Sequence, residues 1–341
     1  MKNKIKNIHF VGIGGSGMSG IAEVMHNLKF NVQGSDLGKS EAIRHLKKIG
    51  IKVFNKHLEE NIKNIDVLVV SAAILEKNPE VKAANKQKIP IIPRAEMLSE
   101  LMRFKKGIAV AGTHGKTTTT SLIASILSEG KLDPTYVIGG RLNSMNANAK
   151  LGDSDLMIVE ADESDASFLH LNPVSAIITN IDNDHLGTYQ NNFENLKQTY
   201  IDFAHQVPFY GTIFLCEDDK HAKSIMAKIS RPIVTYGLKN NVDIQAVNIK
   251  HTGNIVNFDV IDKKYGHNKF NITTNFPGEH FVRNTLAAIA IGLEYGVSKN
   301  NIQKALTNFE GVARRYEIYN NVFIQGKKIK DIDDYGHHPT E

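Results

Sequence analysis

The feature that most constrains the fold is an apolar run, a glycine-containing loop and an amphipathic segment in direct succession at 107–126. The apolar run 108–111 predicts a buried parallel strand, and the apolar residues after the loop recur at helical spacing. The loop 112–118 has the sequence GTHGKTT. Its glycines let backbone N–H groups surround an anion, the helix start adds partial positive charge, and Lys116 adds a full charge. Thr117 places a hydroxyl where Mg²⁺ bridging the β- and γ-phosphates would lie.

This loop departs from the strict P-loop pattern, because Val110 stands where that pattern has its first glycine. The alternative is a strand-to-helix turn that carries a lysine by chance. Because the strand, the loop and the helix agree with one another, we predict an ATP site with Mg²⁺. The predicted ATP contacts in the loop are Gly112, Thr113, His114, Gly115, Lys116, Thr117 and Thr118.

Length and composition exclude several classes of protein. A chain of 341 residues predicts two or three domains. The net charge is only +5 and no basic run is interleaved with aromatic residues, so nucleic-acid binding is not expected. A single cysteine, Cys216, excludes an internal disulfide framework, and no apolar stretch is long enough to span a membrane. We therefore expect a cytoplasmic protein; its oligomeric state is left open.

A second glycine-rich turn lies near the N-terminus. A predicted strand at 8–13 runs into GIGGSG at 12–17, and a helix and a strand at 30–33 lead to Asp36. This order is typical of a dinucleotide-binding unit, in which glycines allow close phosphate approach and the carboxylate binds a ribose hydroxyl. The alternative is a glycine-rich turn without a ligand, and the pattern alone does not separate NAD from another nucleotide diphosphate. The predicted contacts are Gly14, Gly15, Ser16, Gly17, Met18 and Asp36.

The N-terminal unit continues with further short strands. A strand at 66–70 ends at Ser71, which becomes a candidate ligand contact because parallel strands point their carboxyl ends at the crevice. Another strand at 89–92 is followed by Arg94, which could neutralise a substrate anion or be an ordinary surface arginine. The segment 105–107 is the predicted boundary to the next domain.

Acidic residues follow the second strand of the central unit. The apolar run 156–159 leads into EADESD, so Glu160 is a candidate Mg²⁺ ligand, with a solvated acidic turn as the alternative. His185 follows a third strand at 176–180 and could meet Glu160 at one crevice, although a lone histidine is more often structural. We predict a metal or phosphate role for His185.

The C-terminal part of the central unit changes character. Alternating apolar and polar residues over 232–274 predict an antiparallel β region, and a long helix is predicted at 280–295. His280 and Asn284 share one face of that helix, for which capping or packing is the simpler explanation.

Long motifs spread over the chain resemble the ATP-dependent Mur ligases of peptidoglycan synthesis. These are VGIGGSGMSGIA at 11–22, GTHGKTTT at 112–119, EADESDASFLHL at 160–171, TNIDNDHLGTY at 179–189, FPGEH at 276–280, RR at 314–315 and DDYGHHPTE at 333–341. The resemblance implies an α/β fold with three parts. A Rossmann-like UDP-sugar-binding domain at 1–106 precedes a P-loop ATPase domain with the added antiparallel region at 107–321. A third Rossmann-like domain only begins at 322–341.

The resemblance also implies a reaction. Within the family the motifs are most similar to the branch that joins L-alanine to the lactyl carboxylate of UDP-N-acetylmuramate, with ATP, Mg²⁺ and an acyl phosphate. It assigns catalytic roles to Lys116, Glu160 and His185, one Mg²⁺ to Thr117 and Glu160, and a second metal to His185. It assigns ATP contacts also to His280, Asn284, Arg314 and Asp334. The glycine turn, Asp36 and Ser71 would hold the UDP part, and Arg94 or His114 the muramyl end.

Two departures from the family pattern bear on these expectations. Tyr200 stands where several Mur ligases carry a carbamylated lysine, so that modification is not expected. The chain also ends where the third domain begins, so we expect a fragment with an exposed, unfinished strand near 322–332. The alternatives are a non-catalytic nucleotide-binding module, a murein-peptide recycling ligase and an NAD-linked oxidoreductase.

Overall fold

The first part of the chain folds into a parallel sheet. The computed structural model describes residues 4–71, 73–142, 147–266, 268–313, 317–324, 327–334 and 336. The sheet has the order β3-β2-β1-β4-β5; an α-helix follows each strand except β3, which is joined to β4 through a short 3-10 helix (Glu59–Ile62). Its strands are β1 (Asn7–Val11), β2 (Asn31–Ser35), β3 (Lys52–Phe54), β4 (Val67–Val70) and β5 (Ile91–Pro93). Its helices are α1 (Ser16–Asn27), α2 (Glu41–Lys48), α3 (Pro79–Gln87) and α4 (Arg94–Met102).

A ten-stranded mixed sheet forms the central part, in the order β15-β14-β13-β12-β11-β10-β6-β9-β7-β8. Its strands are β6 (Lys106–Ala111), β7 (Thr135–Leu142), β8 (Ala147–Lys150), β9 (Leu156–Glu160), β10 (Ser175–Ile178), β11 (Thr212–Cys216), β12 (Ile233–Gly237), β13 (Ile244–Thr252), β14 (Ile255–Asp262) and β15 (Asn268–Thr274). Its helices are α5 (Lys116–Glu129), α6 (Phe193–Gln206), α7 (Lys220–Ile225), α8 (Glu279–Glu294) and α9 (Lys299–Thr307). In the order of the sheet, the seven neighbouring strands β13-β12-β11-β10-β6-β9-β7 are parallel to one another. At the two ends, β8 pairs with β7, β14 with β13 and β15 with β14 in antiparallel orientation.

The predicted α/β class with an antiparallel addition is confirmed by these sheets. The strands of the P-loop unit are apolar on both faces and buried, as expected for parallel strands covered by helices. The hairpin β7–β8 and the helix α9 were not predicted. Within the described residues, the helices are all too short or too polar to cross a bilayer.

The last described segment corrects one expectation. The prediction of a single exposed strand near 322–332 is wrong, because two strands, β16 (Glu317–Ile324) and β17 (Lys327–Asp333), pair with each other in antiparallel orientation. Ile318 lies opposite Ile332, and the two strands form a sheet of their own. Mutual pairing satisfies backbone groups along one side of each strand, which an isolated strand would leave open to another chain.

One apolar core joins the first sheet to the second. Helix α1 packs on β2 with one side and reaches β7 and β8 with another. Ile8 and Ile21 from the first unit and Val137 and Val159 from the second belong to the same buried cluster. Each such side chain stabilises the fold by about 1.5–3 kcal/mol when fully buried. The glycine turn before α1 is thereby held against the central sheet.

Candidate active site

The loop between β6 and α5 is shaped by two glycines. Gly112 has φ 141° and Gly115 has φ 81°, which are conformations that side chains rarely adopt. A Cβ atom on Gly112 would lie 1.9 Å from Thr179 Oγ1, and one on Gly115 would lie 2.7 Å from Asn284 Oδ1. No described side chain caps the start of α5. The helix start is therefore open to an anion, as an ATP phosphate site requires.

The lysine of this loop is held by a carboxylate. Lys116 Nζ lies 2.7 and 3.0 Å from the two oxygens of Glu163, and it also donates to the carbonyl oxygens of Gly112 (2.6 Å) and Thr113 (3.1 Å). Only 2% of the Glu163 side chain is exposed. Burial raises the pKa of Glu163, while Lys116 opposes that rise. The sequence did not single out Glu163 from the other carboxylates of the acidic segment.

The predicted metal ligands line one cavity of about 300 Å³. Thr117, Glu160 and His185 all reach it, as do Arg94 and Gly17 from the first unit. Glu160 Oε1 accepts a hydrogen bond from the Gly139 N–H at 2.8 Å. His185 has φ 54°, and its Nε2 lies 3.5 Å from Asp184 Oδ2. The third-strand histidine and the second-strand carboxylate thus meet at one crevice.

These residues fit Mg²⁺ and ATP chemistry. In the described ranges no three His, Cys, Asp or Glu side chains are grouped closely enough to form a metal cage. Mg²⁺ needs no such cage beside ATP, because it binds through one or two carboxylates, phosphate oxygens and water. A threonine hydroxyl, a carboxylate and glycines that leave room for phosphates are the groups that this arrangement uses.

Other predicted ATP contacts lie around the start of α8. Asn284 sits against Gly115, so the helical face that it shares with His280 is turned to the loop. Desolvation by the surrounding protein lowers the pKa of His280, the charge of Arg283 lowers it further, and the charge of Asp334 opposes both. Arg314 lies outside the described residues. His114 instead points to Asp182, with 3.1 Å between His114 Nε2 and Asp182 Oδ2.

The glycine turn of the first unit is braced by its acidic residue. Asp36 Oδ2 accepts from the Gly14 N–H at 2.8 Å, and Asp36 Oδ1 accepts from the Gly38 N–H at 2.7 Å. Ser71 Oγ would lie 3.1 Å from a Cβ atom placed on Gly12, so Ser71 borders the turn. The predicted contact Met18 has its side chain in the apolar core. In this structure the carboxylate predicted to bind a ribose therefore orders the turn itself.

Two further predicted contacts of the turn lie at the start of α1. Gly15 is its N-cap residue, and the backbone of Ser16 begins the helix. A Cβ atom on Gly17 would lie 2.1 Å from Arg94 Nη1. The Arg94 guanidinium therefore lies directly over the turn, which brings two separately predicted UDP-sugar contacts together.

A buried carboxylate network beneath the first sheet was not predicted. Glu80 Oε2 accepts from the Ser35 hydroxyl at 2.6 Å and lies 3.0 Å from His57 Nδ1. Glu80 Oε1 accepts from the Asn61 amide at 2.6 Å and lies 3.4 Å from His9 Nε2. Burial raises the pKa of Glu80, but the nearby His9 imidazole and the hydrogen bonds from Ser35 and Asn61 outweigh burial and lower it to about 2. The Ser35 carbonyl in turn accepts the first N–H groups of the glycine turn.

We expect this network to make the stability of the first unit acid-sensitive. The pKa of Glu80 falls from 4.5 to about 2 on folding. Its contribution is present above pH 4.5 and is lost as the pH falls toward 2, in total about 3 kcal/mol. Urea unfolding of Glu80→Gln between pH 7 and pH 3 should show a shallower loss of stability than the wild type. The exposed Glu76→Gln variant should keep the wild-type dependence, and equal slopes for all three proteins would contradict the assignment.

The fold and the candidate site together define a class of protein, one with two consecutive α/β units that both contribute glycine-turn residues to one cavity. Comparison with known families agrees, since residues 7–106 match "Mur ligase family, catalytic domain" and residues 110–292 match "Mur ligase middle domain". The chain belongs to the Mur ligase family, whose members are ATP-dependent.

Two proteins similar to this chain over its whole length share one enzyme name. The UDP-N-acetylmuramate–L-alanine ligase of Ruthia magnifica subsp. Calyptogena magnifica is 54% identical over 340 residues, which are 100% of this chain and 72% of that protein. The enzyme of the same name from Neisseria meningitidis serogroup C (strain 053442) is 53% identical over 344 residues, which cover 100% of this chain and 74% of that protein.

Two solved structures share the architecture. The UDP-N-acetylmuramate–alanine ligase of Thermotoga maritima superposes with a TM-score of 0.85 at 29% identity, over 98% of this chain and 75% of that one. A murein peptide ligase from Psychrobacter arcticus 273-4 also gives a TM-score of 0.85, at 27% identity, over 98% of this chain and 74% of that one. The two folds are equally similar to this chain, so the TM-score does not distinguish the two branches of the family.

Proposed function

We propose that this protein is a UDP-N-acetylmuramate–L-alanine ligase of peptidoglycan synthesis that acts in the cytoplasm. The observation that carries the proposal is the single cavity on which the loop lysine, the second-strand carboxylate and the first unit's Arg94 converge. Identity of 53–54% over the whole chain to enzymes of that name supports the substrates.

The reaction has two steps. A lactyl carboxylate oxygen of UDP-N-acetylmuramate attacks the γ-phosphorus of ATP, and ADP leaves. The L-alanine amine then attacks the resulting acyl phosphate, and phosphate leaves through a tetrahedral intermediate. Because a carboxylate is a poor acceptor for an amine, phosphorylation supplies the leaving group. The protein contributes charge neutralisation and positioning.

Individual residues can be assigned to separate parts of this reaction. The loop 112–118 would hold the triphosphate, with Lys116 on the transferring phosphoryl group. Thr117 and Glu160 would bind one Mg²⁺ and His185 a second. Bound Mg²⁺ neutralises phosphate charge. Arg94, which overlies the glycine turn, would face the acidic substrate.

Around these groups, further contacts would complete the two nucleotide sites. ATP would also contact His280 and Asn284, with Arg314 and Asp334 as additional contacts. The UDP part would bind at the turn that Asp36 and Ser71 border.

The experiment that tests the proposal measures ADP release with ATP, Mg²⁺ and UDP-N-acetylmuramate, adding L-alanine, glycine or L-serine in turn. Release that needs both the UDP-sugar and L-alanine is the expected result. Tight UDP-sugar binding without L-alanine-dependent release would indicate a non-catalytic module instead. Binding of NADH with no binding of the UDP-sugar would contradict the proposal and favour an oxidoreductase.

A murein-peptide recycling ligase is a second candidate, because the Psychrobacter murein peptide ligase has the same TM-score to this chain as the Thermotoga alanine ligase. The two candidates differ in the incoming amine. ADP release that responds to the tripeptide L-alanyl-γ-D-glutamyl-meso-diaminopimelate and not to L-alanine would decide for the recycling enzyme.

Glu160→Gln should raise the Mg²⁺ concentration needed for half-maximal ADP release by about tenfold or more, because a neutral amide binds Mg²⁺ weakly. A Mg²⁺ titration at saturating substrates measures this. The matched variant Glu194→Gln removes a carboxylate that pairs with Lys197 on α6, and it should leave the titration unchanged. An unaltered Mg²⁺ requirement in Glu160→Gln would remove this residue from the metal site.

A further inference from the structure

Two neighbouring carboxylates hold the two cations of the cavity. Among the described lining residues, the lysine and arginine side chains are Lys116 and Arg94. Lys116 Nζ lies 2.7 Å from Glu163 Oε2, and Arg94 Nη2 lies 3.2 Å from Asp162 Oδ2. Asp162 and Glu163 are consecutive residues of the acidic segment after β9. One short segment therefore engages both cations at once.

The two cations come from different nucleotide sites. Lys116 opens α5 behind the phosphate loop, and Arg94 opens α4 in the first unit, where it overlies Gly17. Under the proposed function, Lys116 meets the triphosphate and Arg94 meets the acidic UDP-sugar. Each carboxylate thus holds the cation that one of the two ligands needs.

We propose that Asp162 and Glu163 are positioning residues that couple the two ligand sites. The inference rests on the proposed function. An acidic substrate that draws Arg94 away from Asp162 loosens the segment 160–165, and the loosened segment releases Lys116 from Glu163 to the triphosphate.

The hydrogen bonds of the segment show how such a change is transmitted. Asp162 Oδ1 accepts from the backbone N–H (3.1 Å) and the hydroxyl (2.7 Å) of Ser164. The Thr188 hydroxyl donates to the Ser164 carbonyl at 2.6 Å, and the Tyr189 hydroxyl donates to the Glu163 carbonyl. Asp162, Glu163 and the residues that follow His185 are therefore one connected unit. A displacement at Asp162 reaches both Glu163 and the proposed metal histidine.

The burial of Glu163 explains why each ligand should strengthen, rather than weaken, binding of the other. Glu163 is almost fully buried, so a triphosphate that removes Lys116 from an unmoved segment leaves a buried carboxylate without its cation, which is strongly unfavourable. Burial already raises the pKa of Glu163 even with Lys116 in contact. A substrate that first frees the segment removes this penalty. By linkage, each ligand then raises the affinity for the other by the same factor, about 5- to 150-fold.

The test is calorimetric titration with Mg²⁺ and the β,γ-imido analogue of ATP, with and without saturating UDP-N-acetylmuramate. The wild type should bind the analogue at least about fivefold more tightly when the UDP-sugar is present. Glu163→Gln should bind the analogue alone more tightly than the wild type does, and the UDP-sugar should change its affinity by less than about twofold. Asp162→Asn should lose the coupling likewise and should bind the UDP-sugar alone more tightly.

A matched control lies in the same segment. Asp165 is exposed and accepts from the Ser167 N–H, and it contacts neither cation in the described residues, so Asp165→Asn should keep the wild-type coupling. Tighter binding by a single ligand is a result that structural damage does not produce. If Glu163→Gln does not fold, Asp162→Asn decides by the same criterion.

The outcomes separate this inference from the proposed function. Both ligands binding to the wild type with a coupling factor of one would overturn the inference and leave the function standing. Weaker single-ligand binding in the variants, with coupling unchanged, would also overturn it. Failure of the wild type to bind UDP-N-acetylmuramate would instead reject the proposed function.

Discussion

Lys116→Met is expected to lower the rate of ADP release by about 10²–10³-fold, because it removes the full positive charge aimed at the transferring phosphoryl group. Methionine keeps the length and apolar stem of the side chain, so the loss is chiefly one of charge. Steady-state ADP release at saturating ATP, UDP-N-acetylmuramate and L-alanine measures the effect on kcat.

The same substitution leaves Glu163 buried without its partner, so stability is measured beside activity. The double variant Lys116→Met with Glu163→Gln removes that carboxylate charge and should regain stability without regaining activity. Lys304→Met is the matched control, because Lys304 forms an exposed ion pair with Glu129; its ADP release should stay within about twofold of the wild type, as surface pairs contribute little. Retention of a tenth or more of kcat in Lys116→Met would show that the loop does not hold the reacting phosphate.

Gly112→Ala is expected to destabilise the central unit by roughly 3 kcal/mol or more and to abolish nucleotide binding. The φ of 141° is strained for alanine, and the new Cβ would lie 1.9 Å from Thr179 Oγ1. Thr179 cannot move aside cheaply, since its buried hydroxyl donates to the His114 carbonyl at 2.8 Å. Thermal unfolding and titration with the ATP analogue measure the two effects.

Gly187→Ala provides the comparison. A Cβ atom on Gly187 meets nothing within 4 Å, and its φ is not in the left-handed region. This variant should unfold within a few degrees of the wild type and bind the analogue normally. If Gly112→Ala and Gly187→Ala behave alike, the loop tolerates a side chain and the conformational argument fails.

The parts of the fold that could be predicted are those whose determinants are contiguous in sequence. The long helix predicted at 280–295 is α8 (Glu279–Glu294), displaced by one residue at each end. The strand, loop and helix around Lys116 follow from apolar periodicity and two glycines within twenty residues. By contrast, the hairpin β7–β8 contains glycines and a polar run that weaken any strand prediction.

The parts of the site that could not be predicted are pairings across the chain. Four carboxylates lie at the end of β9 and directly after it, and no spacing rule indicates that Glu163 holds Lys116 while Glu160 accepts from Gly139. Three of the partners of Glu80 lie 19, 23 and 45 residues away and His9 lies farther still, so only the folded sheet brings them together. Sequence patterns identified the candidate residues, and tertiary packing decided which atoms meet.

The core that α1 shares with the central sheet has a consequence for recombining such enzymes. Because α1 packs on β7 and β8, the surface that receives the first unit is encoded more than a hundred residues after the helix that fills it. A chimera that exchanges only the segment before β6 would pair a foreign helix with a native hairpin. Transplanting α1 together with β7 and β8 would keep the buried contacts matched. The recombination unit is thus discontinuous in the gene, although it is contiguous in space.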